Sequence, residues 1–128
     1  MFKLLSDIKD MKEDRKSKFR ILAECVKWHN ILMDDYENKK FELRIGSIGT
    51  IDNNFKNVIE YLDEYIEQVQ KSIDAIDNPE IRTYYSSYLL RDKMDALNND
   101  FREILKEINS IYDTIKPVLK VYREEILK

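Results

Sequence analysis

The sequence predicts an all-α fold: an antiparallel up-down-up bundle of three long helices, or four if the third breaks at residues 98–100, with coiled-coil-like packing. Two observations predict it. Glycine and proline together supply four of the 128 residues, too few for the many turns of a sheet protein. Between them, apolar side chains recur in alternating steps of three and four, which is one face of an α-helix. At 43% apolar and 37% charged residues, the chain is too hydrophobic for a disordered one. By length it is a single domain over residues 1–128 that buries enough surface to fold without metal or disulfide.

The first helix is expected to reach about residue 44. Phe19, Leu22, Val26, Met33 and Tyr36 form a seam, while Ile21, Cys25, Trp28 and Leu32 cover a second face. Two apolar faces predict a central helix. Extended backwards, the seam puts Lys12 and Arg15 at core positions. Residues 1–18 are therefore expected to project or hinge, with 9–18 as a solvated bridge.

The run Ile45-Gly46-Ser47-Ile48-Gly49-Thr50 reads as a helix stop and a loop. The second helix follows over residues 52–76, with Phe55, Val58, Leu62, Tyr65 and Val69 as its seam and Ile59, Ile66 and Ile73 widening it. Asp77-Asn78-Pro79-Glu80 is the next turn, with Asn78 as N-cap and Pro79 at the first helical position. The third helix spans 79–127. Its seam runs Met94, Leu97, Phe101, Ile104, Ile108, Ile111, Ile115, Val118 and Tyr122, joined by Leu105, Tyr112, Leu119 and Ile126. The phase is unbroken through Asn98-Asn99-Asp100 and across Pro117, which predicts a kink there rather than a terminus. On these bounds the outer helices, at about 65–70 Å, overhang a second helix of about 37 Å. Overhanging apolar rows would call for a second copy or a helical partner.

Most chemistry is argued against by residue type and position. No motif implies a cofactor. The chain has one histidine, His29, and no Glu-x-x-His pair, which excludes the di-iron type of helical bundle. His29 at a seam position is expected to be a hydrogen-bonded boundary residue. Cys25, the only cysteine, lies in the most apolar stretch and is expected to be a buried thiol. Glu60-x-x-Asp63, with Glu64 and Glu67, has the spacing by which all-α nucleotide pyrophosphohydrolases hold magnesium, and Asp34-Asp35-Tyr36-Glu37 could supply a second acidic set. The heptad phase, however, points the 60–67 carboxylates to water, whereas magnesium ligands must converge. A solvated acidic face is the expectation, and a magnesium-dependent hydrolase the enzymatic alternative.

Nucleic acid binding would rest on the basic segment 9–20. There Lys9, Lys12, Arg15, Lys16, Lys18 and Arg20 are interleaved with Asp10, Glu13 and Asp14. With a net charge of -3 overall and Phe19 as the one aromatic residue in the segment, this is weak. A nucleic-acid-associated protein is the second alternative. Residues 52–80 carry eight acids against Lys56 and Lys71, so electrostatic pairing of the two segments, within the chain or with a partner, is expected. The amphipathic start Met1–Met11 contains Asp7 and Asp10, which oppose an anionic membrane. No signal peptide or membrane span is expected, and a cytoplasmic location follows.

One stripe remains. Ile81, Tyr84, Tyr85, Tyr88 and Leu89 follow i, i+3, i+4, i+7, i+8, nearly opposite the face that carries Leu90, Met94 and Leu97. Clustered tyrosines are typical of binding surfaces. The sequence therefore points to a non-enzymatic interaction protein: an adaptor, chaperone, inhibitor or assembly subunit that docks another protein or itself, with these five residues as the partner-binding face.

Overall fold

A computed structural model describes the backbone of residues 2–77 and 87–127, and the side chains of residues 16, 19–77 and 91–127. Three helices pack against one another: α1 (Phe2–Glu37), α2 (Ile45–Ile76) and α3 (Ser87–Val121), the last ending in one π-helical turn, Tyr122–Ile126. α1 runs parallel to α3, since Asp35 of α1 meets Tyr122. α2 runs antiparallel to it, with Asp52 at Tyr112 and Asp77 at Arg91. The up-down-up order is thus the predicted one. No helix among the described residues is long and apolar enough to cross a membrane.

The α3 seam packs as its heptads require. Met94, Leu97, Phe101, Ile104, Ile108, Ile115, Val118 and Tyr122 are buried, as are Tyr112 and Leu119, while Ile111, Leu105 and Ile126 are half-buried against the same core. The helix runs unbroken through residues 98–100 and through Pro117, which sits at an exposed position. On α2, Phe55, Leu62, Val69 and Ile73 are buried. Phe55 stacks on Tyr112 at 5.6 Å and Tyr65 meets Phe101 edge-on at 5.0 Å. Asn98, fully buried, donates to the carbonyl of Ile66 at 3.3 Å and so lies among apolar side chains of α2 and α3.

Several expectations are corrected. The chain turns at 38–44, not at the glycines. Lys39 adopts φ 56°, its N–H donates to the carbonyl of Tyr36, and the N–H of Lys40 donates to that of Asp35. This pair of bonds is a Schellman closure. Its left-handed residue is ordinarily glycine; here it is lysine, and the usual punctuation is missing from the sequence. Gly46 and Gly49 instead lie inside α2, neither with positive φ. Two helical glycines cost about 2 kcal/mol together. Starting the helix at Ile45 fully buries Ile48 and Ile51, worth about 2 kcal/mol each, and burial wins.

Among the described residues the predicted length mismatch is not seen. α1, α2 and α3 have 36, 32 and 35 residues, so the argument from overhanging seams for a partner has no basis among the described residues. α1 is also not the central helix. α3 packs against both others, while α1 and α2 meet far less. α1 turns Cys25, Leu32 and Asp35 into the core, and its expected seam residues Phe19 and Val26 are 46% and 39% exposed. The rest of that seam, Leu22, Met33 and Tyr36, is half-buried against the core, as are Ile21 and Trp28 of the other face. α1 is helical from Phe2 onwards.

Candidate docking surfaces

The expected tyrosine face cannot be placed on this structure: Ile81, Tyr84 and Tyr85 lie outside the described residues, as do the side chains of Tyr88 and Leu89. The same holds for most of the basic segment 9–20, of which Lys16 and Arg20 are described and exposed.

Two buried aspartates organise the end of the bundle where α1 turns into α2. The Asp35 side chain accepts the hydroxyl of Tyr122 and, at 2.9 Å, the backbone N–H of Glu42. It ties the 38–44 loop to the last turn of the chain. Asp52, 3% exposed, accepts the Tyr112 hydroxyl at 2.5 Å and Arg123 at 2.9 Å, with Lys56 at 3.1 Å. Burial alone would raise this carboxyl, but the bonds from Tyr112, Arg123 and Lys56 outweigh it and hold the group at about 2. Burial and the neighbouring carboxylate push Tyr112 up to about 12, and the same two causes push Tyr122 up. Neither aspartate is placed to move a proton, since the oxygens are already engaged and Asp52 stays ionised across the ordinary pH range. Neither partnership was legible in the sequence, where Asp35 read as part of a possible second acidic set for magnesium.

The carboxylates of the magnesium alternative do not converge. Glu60, Asp63, Glu64 and Glu67 are exposed, as the heptad phase requires. Asp34 is held by Lys40 at 2.8 Å and Asp35 by Tyr122. No group of three or more His, Cys, Asp or Glu side chains among the described residues is arranged to hold a metal. Cys25 is buried, and desolvation with the nearby Glu24 charge raises its thiol to about 11, far from a reactive thiolate. His29 is half-buried and bonds Asn30 at 3.1 Å.

Two surfaces stand out instead. The first is the α1–α2 tip. Phe41 adopts φ 51°, a left-handed conformation that costs a bulky residue about 1–2 kcal/mol. It lies edge-on to Tyr122 at 6.3 Å yet stays 42% exposed, and Ile45 beyond it is 67% exposed. Gly46 and Gly49 follow, and a Cβ on either would meet nothing within 4 Å. Neither dihedral angle nor crowding requires glycine there. The second surface is a groove between α2 and α3. One end is lined by Glu60, Asp63, Glu64 and Glu67, the other by Asp52, Lys120, Arg123 and Glu124, with Lys56, Tyr112 and Lys116 common to both.

Comparison with known proteins gives no relative to argue from: no family model, no curated protein and no solved structure matches this chain.

Proposed function

We propose that this chain is a non-enzymatic interaction protein that docks a protein partner through the α1–α2 tip. The observation that carries the reading is the exposure of Phe41 and Ile45, at 42% and 67%, on and just after a loop pinned from beneath by Asp35. A loop tip held in a costly conformation while displaying two large apolar side chains is poor design for a surface facing only water. The two glycines support the same reading: they lower helix stability without local need and leave the first turns of α2 bare for close approach of a partner backbone. The internal polar anchors supply rigidity, which lowers the ordering cost of docking.

The test is a paired capture. Wild type and a Phe41→Ser, Ile45→Ser variant are immobilised side by side and exposed to extract from the native host. A protein retained by the wild type and lost by the variant, at unchanged helicity, supports the tip as the docking face. Identical captured sets overturn it.

A further inference from the structure

We infer that the bundle opens from one end. The second half of α2 and the first half of α3 separate as a unit ahead of the rest, and Asn98 sets how readily they do so. The inference is independent of the tip, which lies at the opposite end of α2.

The buried side chains form two clusters that stay separate among the described residues. The larger holds Ile48, Ile51, Phe55 and Leu62 of α2 against Cys25 and Leu32 of α1 and the second half of α3. The smaller holds Val69, Ile73 and Ile76 of α2 against Met94, Leu97 and Phe101 of α3. Their buried polar groups differ in how well they are matched. In the larger cluster Asp52 is met by Tyr112, Arg123 and Lys56, and Asp35 by Tyr122 and the N–H of Glu42. Beside the smaller one Asn98 is fully buried. Its Nδ2 donates to the carbonyl of Ile66 at 3.3 Å, beyond the usual range of about 2.7–3.2 Å. Ile66 lies inside α2, where that carbonyl already serves the helix ladder. Asn98 Oδ1 accepts no hydrogen bond from any described residue.

A buried amide with an idle acceptor gains from opening, because water supplies the missing bond. A buried carboxylate whose donors are all in place loses by it. Two polar ties cross the smaller cluster, Arg102 to Gln70 at 2.9 Å and Arg91 to Asp77 at 3.2 Å. Both join side chains that water already reaches, so breaking them costs little. Opening the smaller cluster also exposes less apolar surface than opening the larger. The free energy of opening therefore falls along the bundle, from the matched aspartates towards Asn98. Opening bares Val69, Ile73, Met94 and Leu97, which the closed protein hides.

Amide hydrogen exchange on the full chain tests this, with rates taken relative to those of the unstructured peptide. In the wild type, the amides of residues 69–76 and 94–101 exchange about tenfold faster or more than those of 51–62 and 108–119. Asn98→Leu removes the idle acceptor and slows exchange at 69–76 and 94–101 about tenfold. Asn98→Val does the same in less space, which covers the case that leucine crowds the site. Asp52→Asn weakens the larger cluster alone. It speeds exchange at 51–62 and 108–119 about tenfold or more, and leaves 69–76 and 94–101 within about twofold of wild type, because their opening does not disturb Asp52. Circular dichroism confirms that each variant is folded. Equal protection at the two ends of the wild type, no slowing by either Asn98 variant, or an Asp52→Asn variant that speeds both ends alike overturns the inference.

Discussion

Asp52→Asn is the most direct probe of how the bundle is held together. Asp52 is held at about 2 instead of 3.8, a difference worth about 2 kcal/mol at 1.36 kcal/mol per unit. Independently, a hydrogen bond to a buried ionised group contributes about 1.5–3 kcal/mol, so the two routes agree. Asparagine fills the same space but brings no charge for Arg123 and Lys56. For a chain of this length the loss corresponds to a fall in Tm of about 6–10 °C near neutral pH. The sign with pH follows from the depressed folded value. The contribution is complete above the unfolded carboxyl value of about 4 and disappears as pH falls towards 2. Thermal melts of wild type and variant, followed by far-ultraviolet circular dichroism from neutral pH downwards, therefore diverge at neutral pH and converge in acid. A gap in Tm that is the same at every pH, or a variant as stable as wild type at neutral pH, would refute the electrostatic account of this site.

Three further outcomes follow from the packing. Gly46→Ala and Gly49→Ala each raise stability by about 1 kcal/mol, because both positions are helical and open around the new methyl group; a lower melting midpoint in denaturant would show that the first turns of α2 are not helical in solution. Lys39→Gly stabilises by about 1 kcal/mol by relieving the left-handed residue of the Schellman closure, read in the same titration, and a loss would place the turn elsewhere. Ile108→Asp, at a fully buried position of α3, costs more than about 4 kcal/mol and abolishes cooperative melting; an unaltered melt would contradict the seam itself.

The all-α class, the order of the helices and the α3 seam from Met94 to Tyr122 were legible in the sequence because they depend on periodicity alone. A residue's step along a helix decides which face it joins, and no long-range information is needed. The unbroken path of α3 through Asn98 and Pro117 was legible for the same reason, since the phase survives both. The outward direction of Glu60, Asp63, Glu64 and Glu67 also followed from phase. What periodicity could not supply was the choice between faces and the place of the turn. α1 carries two apolar faces, and only the position of α3 decides that Cys25 and Leu32 go inside while Phe19 and Val26 stay half-exposed. The turn sits at Lys39 and not at Gly46 because Asp35, Tyr122 and the burial of Ile48 and Ile51 fix it from a distance, against the local preference of glycine. The pairing of Asp52 with Tyr112 joins residues 60 positions apart. Local patterns encode each helix, whereas the burial of a charge is decided by partners that only the assembled bundle brings together.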